Sequence, residues 1–189
     1  MARHSLAAAL VVATLASSAI AQDAAAPEDP ISLWLRMELP AHRALQRVRE
    51  APGTTLAPFT TDGCSGGLSD VWRVVADRFP AFAEAHRQAP PWEGCCVIHD
   101  RAYHAAGPDA AAELSYAARL SADEAFRLCV THSADNRAAE LVARYGLTED
   151  EVRSAYDAVA VAMYLAVRFG GGPCTGLPWR WGYGYPNCS

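Results

Sequence analysis

The residues best placed to do chemistry lie in one short stretch, Cys95-Cys96-Val97-Ile98-His99-Asp100-Arg101-Ala102-Tyr103. On a helix, Cys96, His99 and Tyr103 fall at i, i+3 and i+7, so they share one face, with Asp100 beside it. His99 and Asp100 point about 100° apart around a helix of 3.6 residues per turn, so they do not pair simply with each other. They can instead serve two partners across one cleft, which suits a base and a metal ligand. Taken alone the dyad carries little weight, because neighbouring His and Asp on a helix are ordinarily a surface pair.

Two further pieces give it context. Asp62-Gly63-Cys64-Ser65-Gly66-Gly67 places three glycines in six residues, letting the backbone turn sharply and aim carbonyl oxygens inward. Carbonyls converging with a carboxylate make an oxygen-only site, which suits a hard cation such as calcium. A bridge from Cys64 to Cys96 would hold this loop against the His99 face. The other piece is Asp123, six residues before Cys129. Were Cys95 and Cys129 bridged between antiparallel helices, His99 would lie about 6 Å along from one cysteine and Asp123 about 9 Å from the other. The two would then face each other. An Asp in that position accepts the proton of one imidazole nitrogen and leaves the other nitrogen as base. His104 falls on a different face from His99 and is expected to be exposed.

Gly63-Cys64-Ser65-Gly66-Gly67 also fits G-x-S-x-G, the nucleophile elbow of α/β-hydrolases. That elbow needs a strand before it, a helix after it and parallel strands elsewhere, none of which is legible. A non-enzymatic rival is a secreted helical binding protein that keeps a disulfide scaffold without turnover.

The elements that must position these residues read as helices. Residues 31–50 are helical in character, with Pro40 expected to break the run in two. Residues 51–67 are loop. Ser69 is a plausible N-cap for a helix through Asp77, and the key helix should run from about Cys95 to Ala105, stopping at Gly107-Pro108. Ser121 with Glu124 and Thr148 with Glu151 are capping boxes. After Thr148, Val152, Tyr156, Val159, Met163 and Val167 recur at helical spacing until Gly170, a core stripe. Residues 173–189 are rich in Gly, Pro, Trp and Tyr, and read equally as an interfacial lipid surface or a packed cover. With no convincing strand or repeat, the expected fold is all-α, a disulfide-stapled helical domain built around two antiparallel helices.

Arg3 and His4, the apolar run Leu6 to Ala16 and the small residues before Ala21 fit a cleaved signal peptide over residues 1–21. The rest, about 170 residues, suffices for one domain with a core. It divides into a leader and N-terminal helices (22–50), a catalytic core (51–173) and a disulfide-closed aromatic tail (174–189). The net charge of −5 argues against nucleic acid as a partner and against tight electrostatic binding to an anionic membrane. Every basic side chain other than histidine is Arg. Six cysteines, an even count in an exported chain, suggest up to three disulfides, although 15 pairings are possible; no Cys-x-x-Cys pair points to metal or redox use.

Cys95-Cys96-x-x-His99-Asp100-x-x-Tyr103 resembles the active-site helix of secreted phospholipase A2, and Asp123 with Cys129 is similar to its partner-helix spacing. The Asp62-Gly63-Cys64-Ser65 start looks more like the small prokaryotic branch of that superfamily. The resemblance covers Asp62 to Cys129. It implies a monomeric, secreted or periplasmic, calcium-dependent hydrolase of the sn-2 ester of phospholipids, with transient contact to a membrane surface. In that reading His99 is the general base, Asp123 orients it, and Tyr103 hydrogen-bonds Asp123. Asp100 holds calcium, together with the carbonyls of Gly63, Ser65 and Gly67 or with the Asp62 side chain and the Gly63 carbonyl. The implied pairing is Cys64–Cys96 and Cys95–Cys129, leaving Cys174–Cys188 for the tail. An inactive relative that only binds its ligand is the alternative.

Overall fold

The computed structural model describes residues 30–64, 68–108 and 111–188. The expected signal segment, most of the leader, and Ser65, Gly66 and Gly67 lie outside them. Seven helices and no strand occur among the described residues: α1 (Pro30–Glu50), α2 (Leu68–Arg78), α3 (Pro80–His86), α4 (Glu93–Ala105), α5 (Ala112–His132), α6 (Ala138–Tyr145) and α7 (Glu149–Gly170). The domain is all-α and disulfide-stapled, with bridges Cys64–Cys96, Cys95–Cys129 and Cys174–Cys188.

α4 and α5 are antiparallel. Cys95, at the start of α4, is bridged to Cys129 near the end of α5, while Tyr103, two turns on, meets Arg119, two to three turns back. α7, α4 and α1 all pack against α5, so α5 is the central element. The expected stripe of α7 faces inward: Val152 and Tyr156 are buried, and Val159, Met163 and Val167 pack against the same core. That core surrounds the two bridges of α4 and includes Trp92, Phe126, Val130 and Leu141. A smaller cluster of Leu45, Tyr103, Ala106 and Trp181 lies beneath the tail.

α4 ends as its sequence demands, with Ala106 in the left-handed region followed by Gly107 and Pro108. Its last carbonyls, which lack intrahelical donors, are satisfied by the tail: Gly182 N–H donates to Tyr103 O at 2.7 Å and Gly184 N–H to His104 O at 3.2 Å. Gly182 has φ of +78°, and a Cβ there would come within 2.8 Å of Leu45, so only glycine allows this approach. Trp181 is 1% exposed and donates Nε1–H to Ser115 Oγ at 3.0 Å. The aromatic tail is therefore a packed cover over the end of α4.

Several local expectations give way to tertiary contacts. Pro40 sits inside α1 without dividing it. Glu38 on one side of it and His42 on the other both bond to α5, through Arg119 and Ser115, which holds the two halves on one axis. Ser69 lies within α2 rather than at its N-cap, and its Oγ accepts the N–H of Cys64 at 2.8 Å, tying loop to helix. Ser121 is interior to α5, which begins at Ala112: residues 112–120 are mostly strong helix formers, and Ser115, Tyr116 and Arg119 are buried on it. The Thr148–Glu151 capping box forms with both reciprocal bonds.

Candidate functional site

Antiparallel pairing of α4 and α5 brings His99 opposite Asp123. The Nε2–H of His99 donates to Asp123 Oδ1 at 2.9 Å. A neutral ring that donates from Nε2 leaves its lone pair on Nδ1, the nitrogen available as a base. The imidazole is boxed by the rings of Tyr103 and Phe126, at centroid distances of 4.1 and 4.5 Å. It is 7% exposed, so packing as well as hydrogen bonding fixes its orientation.

Asp123 is fully buried and saturated with donors. Oδ1 also accepts the Tyr103 hydroxyl at 2.6 Å, and Oδ2 accepts Arg168 Nη1 at 2.8 Å. Burial alone would raise its pKa, but the His99 bond, the Arg119 charge and the Tyr103 and Arg168 bonds outweigh burial and hold it below the ordinary carboxylate value. The carboxylate is therefore ionised at neutral pH. Burial beside this anion pushes the Tyr103 hydroxyl well above its usual pKa and keeps it a donor.

Asp100, one residue on from the base, faces a different neighbourhood. Thr61 Oγ1 donates to Asp100 Oδ2 at 2.5 Å and accepts the N–H of Gly63 at 3.1 Å, so one hydroxyl joins the loop to the helix. Burial raises the Asp100 pKa, and nearby Asp62 adds to that, against the lowering pull of Thr61 and His99. A carboxylate poised this way gains from a cation. Gly63 has φ of +79°, and a Cβ would lie 2.7 Å from both Ser69 Oγ and Glu93 Oε1, so this turn admits only glycine.

Two cavities meet at these residues. One, of about 200 Å³, is largely apolar and lined by His99 and Asp100 with Leu68, Phe126, Met163, Val167 and Trp179. The other, of about 310 Å³, is lined by Thr60, Thr61, Asp62, Asp100, Trp179 and Tyr183. Asp100 and Trp179 border both. Among the described residues no group of three or more His, Cys, Asp and Glu side chains converges. The second cavity offers Asp62 and Asp100 with threonine oxygens, a hard, oxygen-only donor set that fits calcium completed by backbone carbonyls or water.

The expected residues His99, Asp123 and Tyr103 thus form one hydrogen-bonded unit; Asp100 and Asp62 border the polar cavity beside it, and Gly63 is joined to Asp100 through Thr61. Ser65 and Gly67, the other expected calcium ligands, lie outside the described residues. His104 is buried rather than exposed, enclosed by the rings of Phe59 and Tyr183 where the loop and the tail cross α4. Four residues were not singled out from the sequence: Arg168, Arg119 and Glu38 behind Asp123, and Thr61 on Asp100; Trp179, read there only as part of the aromatic tail, borders both cavities. Only Arg119 had a local sign, its i, i+4 spacing from Asp123 on α5.

No protein-family model, curated protein or solved structure matches this chain.

Proposed function

We propose that this protein hydrolyses the sn-2 acyl ester of phospholipids in a calcium-dependent reaction, with water activated by His99. The observation that carries the reading is the His99 Nε2–H held on a buried, ionised Asp123, beside an apolar cavity that His99 and Asp100 share. Nδ1 of His99 takes a proton from water as its oxygen attacks the ester carbonyl. Asp123 stabilises the resulting imidazolium and keeps the ring from rotating. Nδ1 then returns the proton to the departing glycerol oxygen. The apolar cavity holds the acyl chain, and Trp179 marks its border with the polar cavity. Asp100 would hold calcium, with the Asp62 side chain and the Gly63 carbonyl or with the carbonyls of Gly63, Ser65 and Gly67, and the cation would supply positive charge to polarise the ester carbonyl.

Two of the helices that line the apolar cavity also carry exposed apolar side chains, Val71 and Val74 on α2 and Leu165 and Phe169 on α7, which offer lipid a surface to dock on. Three disulfides suit an oxidising compartment, and among the described residues no helix is long and apolar enough to cross a membrane. Both accord with export through the 1–21 segment.

The test is fatty-acid release from mixed phospholipid vesicles by the oxidised protein, with calcium and with chelator. Chelation should abolish release, and His99→Asn and Asp100→Asn should each cut it by about 100-fold or more. Release that survives chelator and both substitutions would sink the mechanism. Calcium binding without turnover on any lipid would favour the binding-protein alternative.

A further inference from the structure

Behind Asp123, three helices contribute a buried ionic cluster that the hydrolytic dyad does not itself require. Arg168 of α7 donates Nη1 to Asp123 Oδ2 at 2.8 Å and Nη2 to Glu38 Oε1 of α1 at 2.6 Å. Arg119 of α5 pairs with the other Glu38 oxygen, and its Nη2 donates to the carbonyls of Val167 and Arg168 at 2.7 and 2.9 Å. Its Nε–H donates to the Tyr103 hydroxyl at 3.2 Å, which in turn donates to Asp123 Oδ1. With His99 neutral, two guanidinium cations balance two carboxylates. Arg168 is 7% exposed and Arg119 is wholly buried, so neither contact is a solvent-screened surface pair.

Resting on the proposed hydrolytic reading, we infer that Arg168, anchored by Glu38, is a positioning residue that locks the Asp123 carboxylate and through it the His99 ring. The geometry divides the work. Oδ1 carries both donors of the reacting side, His99 and Tyr103. Oδ2 has only Arg168 within hydrogen-bond distance among the contacts described, because Arg119 Nη2 stands 4.0 Å away. Without Arg168 the carboxylate is held only through Oδ1, and the acceptor of the His99 bond is less firmly fixed. Glu38 holds Arg168 from the opposite side, 130 residues away in sequence, so the first described helix is part of the site's frame.

The experiment reads the His99–Asp123 bond directly. In the oxidised, calcium-free protein, the hydrogen-bonded Nε2–H proton of His99 should give a low-field, exchange-protected proton NMR resonance, assigned by its loss in His99→Asn. Arg168→Met and Glu38→Gln should each displace or broaden that resonance while near-UV circular dichroism reports native packing. On phospholipid with calcium, Arg168→Met should lower kcat by about tenfold or more with little change in KM. A resonance at the wild-type position in folded Arg168→Met would overturn the proposal. Should that variant not fold, the same result in the near-isosteric Glu38→Gln would overturn it. Absence of lipid hydrolysis by the wild type would strike the hydrolytic reading alone, leaving the resonance comparison valid.

Discussion

Asp123 shows how a single side chain is made to do one job. Burial favours its neutral form, yet donors from two helices and the charge of Arg119 outweigh burial and keep it charged. Its pKa in the folded state lies below that in the unfolded chain, about 3.9 for an ordinary Asp. Its stabilising contribution is therefore complete above that value and is lost as pH falls toward the depressed one. Asp123→Asn should lower the unfolding free energy by about 3 kcal/mol near pH 7, because it leaves buried cations less fully paired. The gap between variant and wild type should narrow as pH drops below about 4. Urea denaturation across that range checks this, and a gap independent of pH would assign Asp123 no such role. Two positions from the base, Arg101 turns away from the site and lies over the Phe59 ring, 4.4 Å from its centroid.

At the scale of elements, the site depends on keeping α4 and α5 in register, since a shift of one residue would separate His99 from Asp123. Cys95–Cys129 clamps that register at one end, and the His99–Asp123 and Tyr103–Asp123 bonds occupy the middle. The bridge closes a loop of 34 residues. Replacing both cysteines by alanine should lower stability by about 3–4 kcal/mol, by the entropy restored to the unfolded chain. Guanidinium titration of the double variant against the wild type measures it; equal midpoints would show that packing alone holds the register. The loop end of the site is clamped separately, by Cys64–Cys96 and by the Ser69 and Thr61 hydroxyls acting on backbone N–H groups.

At the scale of the molecule, the helices α2 and α7, which line part of the apolar cavity, also carry exposed hydrophobic side chains. Phe169 is 68% exposed even though it meets Trp34 edge-on at 5.3 Å, and Val74 on α2 is 67% exposed. Apolar groups left in water on helices that also line the cavity are the kind of surface the proposed lipid docking would use. Phe169→Asp and Val74→Asp should each reduce hydrolysis of vesicle phospholipid by about tenfold, and reduce it much less on a short-chain ester in solution. Equal losses on both substrates would place these residues in folding or in the cavity itself, away from lipid docking.

The local parts of this protein were legible in its residues because they obey short-range rules. Periodicity over i, i+3 and i+4 put His99 and Tyr103 on one face of α4, marked the inward stripe of α7, and with the Thr148–Glu151 box and Gly107 set where helices begin and end. The even cysteine count announced a disulfide frame, and resemblance to a known helix pair supplied its connectivity. What no local rule reaches was settled by packing. Pro40 did not break α1, because Glu38 and His42 are both tied to α5. Ser121 did not start a helix, because the chain before it was already helical and buried. The aromatic tail became a cover because the open carbonyls at the end of α4 needed donors. The Arg168–Glu38 support of Asp123 joins side chains 130 residues apart, and only the folded chain brings them together.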